Sequence, residues 1–213
     1  MIRAYDEIYL AQARTSIARM LDYAVHDLGY ALGEFWNLFV ESEVCRRFEY
    51  GESRVLAGMS GVEIAREVVS ASVEPGYTLT RSREYWTGWA VAYFQWATAL
   101  SFEEITAVVP IEEIRDMYSP FHEMDITQFY DRMCELYAER IEDSNLKRIR
   151  MRAGLSQSEL SRMSQVPVRT IQQYEQRQKN INKANAEYVI TLAHVLCCEP
   201  IDLLEKVDNI NQS

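Results

Sequence analysis

The chain has 213 residues, 48% of them hydrophobic, and carries 22 Lys and Arg against 32 Asp and Glu for a net charge of −10. That length holds one large or two modest domains, and the composition excludes a chain disordered throughout. No apolar run reaches the roughly 18 residues that a membrane-spanning helix needs.

In chain order, Met1-Ile-Arg-Ala-Tyr-Asp-Glu7 is polar and reads as no signal peptide. From Tyr5 to about Leu28, apolar residues at Ile8, Ala11, Ile17, Leu21, Ala24, Val25 and Leu28 follow a helical period, which Gly29 ends. Leu32, Phe35, Trp36, Phe39 and Val40 predict a second helix that closes before Glu49-Tyr-Gly51, with a loop to Ser60. Ser60-Gly-Val-Glu63 is a capping box opening a helix to about Ser70, and Glu74-Pro-Gly-Tyr77 predicts a turn. The next helix covers 82–100. Its Trp86, Trp89, Tyr93 and Trp96 are spaced three, four and three apart and form one stripe. A core helix is the preferred reading over a ligand or partner cage, because aromatic stripes at helical spacing are usually buried. Ser101-Phe-Glu-Glu104 opens a short helix, Pro110 takes the first position of another, and Tyr118-Ser-Pro120 interrupts. Asp125-Ile-Thr-Gln128 caps a last helix running to about Ile141. No strand alternation, internal repeat or low-complexity stretch occurs.

Charge then breaks sharply. Residues 1–144 carry twelve basic and twenty-five acidic residues, a net of −13, whereas 145–213 carry ten and seven, a net of +3. All four Lys follow position 144. A domain boundary is expected near Glu142-Asp-Ser-Asn145, giving domains 1–144 and 145–213. The acidic domain would repel DNA and lower non-specific affinity.

Asn145-Leu-Lys-Arg-Ile-Arg-Met-Arg-Ala-Gly154 predicts a helix with Leu146, Ile149 and Ala153 inward and Lys147, Arg148, Arg150 and Arg152 outward, stopped by Gly154. Ser156 and Glu159 form a capping box for the next helix, on which Leu160 and Met163 lie three apart on one face. Gln165-Val-Pro167 breaks the pattern, and a second short helix opens at Pro167 or Val168. There Ile171 and Tyr174 face inward, and Val168, Arg169, Gln172 and Gln173 point outward. Arg pairs bidentately with guanine and Gln with adenine, so this surface suits base edges in a major groove. A basic loop, Arg177 to Lys183, precedes a helix from about Ala184 to Leu196 with Val189, Ile190, Leu192, Ala193 and Leu196 inward. Pro200 opens a last short helix with Ile201, Leu203 and Leu204.

Residues 145–205 resemble the Xre/Cro phage-repressor family of helix-turn-helix domains. The matching positions are Leu146, Arg148, Gly154-Leu-Ser-Gln157, Leu160, Ile171, Tyr174-Glu175, Leu192-Ala193 and Asp202-Leu-Leu204. The resemblance implies a five-helix, lambda-repressor-like fold on double-stranded DNA. It implies base readout by Val168, Arg169, Gln172 and Gln173, with phosphate contacts from Gln157, Arg177, Lys179 and Asn180. It also implies a homodimer on a two-fold site. Ser161 stands where the family prefers Ala. Gln165 stands where it prefers Gly, so Gln165 is expected in a left-handed conformation costing about 1 kcal/mol. Residues 145–183 hold nine basic and two acidic residues, a net of +7 inside a −10 chain, which favours a phosphate-facing module over a plain helical bundle.

Other chemistry finds no support. Cys45, Cys134, Cys197 and Cys198 fit neither a CxxC pair nor a zinc site, and the adjacent pair reads as small core residues in a reducing, cytosolic setting. His26, His122 and His194 are scattered. Glu103-Glu104 and Glu112-Glu113 lie in first turns, where the helix dipole accounts for them. The expectation is an all-α, two-domain DNA-binding regulator, cytoplasmic, without cofactor, metal or catalytic site. Residues 1–144 would serve as a sensor for a small molecule, as a protein-interaction domain, or as the part of an antitoxin that holds a basic toxin. An adaptor role is the alternative for the chain as a whole.

Overall fold

The structure, a computed structural model, describes residues 3–70 and 81–207. These residues fold into α-helices and short 3-10 turns, with no strand among them. The predicted turn at Glu74–Tyr77 lies outside the described residues. The chain separates into two compact units, residues 1–136 and 137–213.

The first unit contains α1 (Leu10–His26), α2 (Leu32–Glu41), α3 (Glu43–Glu49), α4 (Ser53–Leu56), α5 (Gly61–Val69), α6 (Arg83–Thr98), α7 (Phe102–Val108), α8 (Ile111–Asp116) and α9 (Tyr118–Phe121). It also holds most of α10 (Ile126–Arg140). Its axis is α1 lying against α6, with α5 also packed on α1. Two glycines make that closeness feasible. A Cβ on Gly88 would sit 2.6 Å from the Ile17 carbonyl oxygen, and one on Gly61 would sit 2.3 Å from that of Ser16.

The first helix starts later than its apolar period suggests. The Asp6 side chain caps a 3-10 turn, Glu7–Tyr9, and α1 begins only at Leu10. The tighter first turn shifts the phase, so Ile8 and Ala11 are exposed while Ala13, Ile17, Met20, Leu21 and Ala24 are buried. The expected second helix is two, because Ser42 is extended and accepts a hydrogen bond from the Cys45 amide as the cap of α3. The loop before Ser60 contains α4. The capping boxes at Ser60/Glu63 and Ser101/Glu104 both form. Pro110 is the N-cap of α8 rather than its first residue, and Ser119 breaks helical geometry within α9.

The aromatic stripe is core. Trp86 and Trp96 are buried, with Trp86 edge-on to Phe129 and Tyr118. The stripe's other two rings, Trp89 and Tyr93, are half-buried under Arg14, whose guanidinium carbon lies 3.3 Å from the Trp89 ring centroid and 4.9 Å from that of Tyr93. Burial pulls the Arg14 pKa down to about 10. A second aromatic cluster joins Trp36, Phe39, Phe48 and Phe102, with neighbouring centroids 5.4 to 5.7 Å apart.

The second unit contains α11 (Asn145–Arg152), α12 (Gln157–Ser164), α13 (Val168–Glu175) and α14 (Ala186–Leu196), with 3-10 turns at Ile181–Lys183 and Pro200–Leu203. Its core is built on Leu146, Leu160, Val166, Ile171, Leu192 and Leu203. Ile149 and Leu155 pack against it. Several assignments change side. Ala153, Ile190 and Cys197 are exposed instead of inward, Arg150 is buried instead of outward, and Met163 is exposed although Leu160, three residues before it, is buried. Helices α11 to α13 are about two turns long and α14 about three, so the core covers a narrow stripe and residues at its edge fall into water. Cys197 is turned out because it is the left-handed C-cap of α14.

Candidate nucleic-acid interface

The two central helices are set by their ends. Ser156 accepts a hydrogen bond from the Glu159 amide, and the Glu159 carboxylate accepts from the Ser156 amide at 2.8 Å and its hydroxyl at 2.7 Å. Those bonds hold the Glu159 pKa below the usual carboxylate range, the hydroxyl's being the larger cause. At the far end Gln165 is left-handed, φ 60°, and its side chain donates to the Arg162 carbonyl at 2.8 Å. The Ser161 hydroxyl donates to the Val166 carbonyl at 2.7 Å, so this small polar residue ties α12 to the turn. Pro167 ends the turn as the N-cap of α13.

On α13, Ile171 and Tyr174 are buried. The opposite face carries Val168 and Arg169, both exposed, and Gln172 and Gln173, both half-buried. No side chain caps α13, which leaves its first amides open to an acceptor such as a phosphate. Lys179 is exposed. The Asn180 side chain accepts from the Asn182 amide at 2.8 Å and caps the 3-10 turn that follows. Arg177 does not extend outward: its guanidinium donates to the carbonyl oxygens of Ile141, Glu142 and Asp143 at 2.9, 3.1 and 3.2 Å.

Beneath the outer face lies a polar network with no counterpart in the sequence reading. The Arg150 guanidinium on α11 grips the Glu175 carboxylate on α13 by two hydrogen bonds, 2.6 and 2.9 Å. Arg150 also donates to the Leu155 carbonyl at 2.7 Å. Hydrogen bonding to Glu175 is the main reason that the Arg150 pKa is raised. The Gln157 amide donates to the same carboxylate at 2.7 Å. A carboxylate only accepts, so Gln157 must turn its N–H inward, and its oxygen meets the Gln172 amide at 3.4 Å. Gln157 thus sits behind Gln172 and steadies it. The matching charges, 25 residues apart, gave a signal that the sequence reading did not use.

Among the described residues, no group of His, Cys, Asp and Glu is arranged to hold a metal ion, and no helix is long and apolar enough to cross a membrane. Residues 146–200 match the family model described as helix-turn-helix. No curated protein and no solved structure matches the chain.

Proposed function

With residues 146–200 forming a helix-turn-helix domain of the Xre/Cro type, a DNA-binding module, we propose that the chain is a sequence-specific transcriptional repressor that acts as a dimer in the cytoplasm. It acts by binding and not by catalysis. Helix α13 enters the major groove, where Val168, Arg169, Gln172 and Gln173 read base edges. Lys179 and the exposed basic residues Arg148, Arg152 and Arg162 lie along phosphates. The observation that carries this reading is the two-faced α13: Ile171 and Tyr174 are sealed in the core, while the uncapped end of the helix presents Val168 and Arg169 to water.

The test is a gel shift of the full chain on DNA from upstream of its own gene. Arg169→Ala should relax selection at one base position by about 1–3 kcal/mol. Lys179→Ala should weaken all sequences alike and lower the salt slope by about one. Unchanged affinity of Arg169→Ala for the best site would remove α13 as the reader.

One observation favours a second role. Residues 1–144 carry a net charge of −13 beside the basic module. This suits capture of a basic protein, as in an antitoxin that neutralises its toxin and represses their shared operon. A pull-down with the full chain, and retention of the captured protein at high salt, separates that role from simple repression.

A further inference from the structure

The geometry points to Arg177 as a clamp on the segment through which the chain enters the DNA-binding domain, and not as a phosphate contact. This inference rests on the DNA reading only for its second readout. Arg177 follows the reading helix by two residues and has φ 53°, a conformation that L side chains adopt at a cost. Glycine would satisfy that backbone more cheaply. The side chain therefore needs a reason to be there, and its contacts supply one.

Both terminal nitrogens of the guanidinium are occupied. One donates to the carbonyls of Ile141 and Glu142, the other to that of Asp143. These carbonyls lie just past Arg140, the last residue of α10. The positive charge faces the negative end of the α10 dipole. Glu205 stands behind, 3.6 Å from the guanidinium. Its carboxylate accepts from the Asn145 amide at 2.9 Å, and Asn182 exchanges two hydrogen bonds with its backbone, 2.7 and 2.9 Å. Three separate stretches, 141–145, 177–182 and 204–205, are thus tied into one polar knot. A guanidinium directed at three backbone oxygens has no terminal nitrogen left for a phosphate. Arg177 joins the loop that leaves α13 directly to residues 141–143, so a displacement of either stretch reaches the other.

The experiment compares the wild-type full chain with Arg177→Gly. The glycine relieves the backbone and removes the clamp, so the domain still folds and its melting temperature serves as the control. Hydrogen exchange should accelerate about tenfold or more at the amides of residues 141–145, while the core amides of α12 and α14 stay protected. The slope of log affinity against log salt should stay the same. Unchanged exchange at 141–145 would overturn the clamp, and so would a slope lower by about one, the mark of a lost phosphate contact. Failure of the wild-type chain to shift any DNA would count against the DNA reading alone, because exchange decides the clamp without DNA.

Discussion

Arg150 and Glu175 meet in a two-bond ion pair, 2.6 and 2.9 Å, with side-chain exposures of 10% and 1%. The pair joins α11, the first helix of the helix-turn-helix unit, to Glu175, the last residue of α13. Removing one partner strands the other charge in a buried place. Glu175→Ala should cost about 3–5 kcal/mol of the domain's stability, measured by urea unfolding followed by circular dichroism. The double change Arg150→Met with Glu175→Leu should recover most of the loss. A cost below about 1 kcal/mol for Glu175→Ala would mean that the pair behaves as a surface pair.

Gln165 occupies the left-handed turn between α12 and α13 at φ 60°. Gln165→Gly should stabilise the domain by about 0.5–1 kcal/mol, because glycine carries no Cβ penalty there. The bond from its side chain to the Arg162 carbonyl is the only gain that Gly forfeits among those described. A fall in melting temperature would show that this bond outweighs the strain.

In the first unit, Gly88 lies where a Cβ would come within 2.6 Å of the Ile17 carbonyl oxygen and 2.8 Å of the Ala18 Cα. Both are backbone atoms that cannot step aside without moving α1. Gly88→Ala should therefore cost about 1–3 kcal/mol by thermal unfolding, despite alanine's better helix propensity. A neutral result would mean that α1 and α6 slide apart freely.

Glu159 titrates below its ordinary value because the Ser156 hydroxyl, and then the Ser156 amide, bond to its ionised form. A depressed native pKa contributes stability above the unfolded value, near 4.3, and loses it as pH falls through the lower native value. The Glu159 carboxyl should accordingly show an NMR midpoint below about 4.3, the unfolded value, and Ser156→Ala should raise it. An unmoved midpoint in Ser156→Ala would dismiss the hydroxyl bond as the larger cause.

The sequence made the helical character, the capping boxes and the two-faced α13 legible, because each depends on residues within one or two turns of each other. Ser60 with Glu63, Ser101 with Glu104, and Ser156 with Glu159 are self-contained in this sense. Long-range partners were not legible. Arg150 looked like one more outward cation in a basic run, and only Glu175, brought from another helix, draws it inside. Arg177 likewise was expected to contact phosphate, and no local pattern encodes its bonds to the carbonyls of 141–143. Phase errors came from short irregular turns. The 3-10 turn before α1 exposed Ile8, and the extended Ser42 split one expected helix into two. Residues at the edge of a two-turn helix, such as Met163 and Ala153, depend on neighbours that no local pattern encodes.

All four tryptophans, Trp36, Trp86, Trp89 and Trp96, lie in residues 1–136, whereas the DNA-binding unit has tyrosines alone, among them Tyr174 and Tyr188. Light absorbed at the red edge of the protein band therefore excites the first unit only. Its emission reports the packing of α2 and α6 and is silent on α13, and the Arg14 guanidinium, with its carbon 3.3 Å from the Trp89 ring centroid, adjoins one of the emitters. One molecule thus carries a natural optical label on one half and none on the other. A ligand or protein partner of the acidic unit can be followed by colour while DNA is followed by mobility, with no dye attached to either.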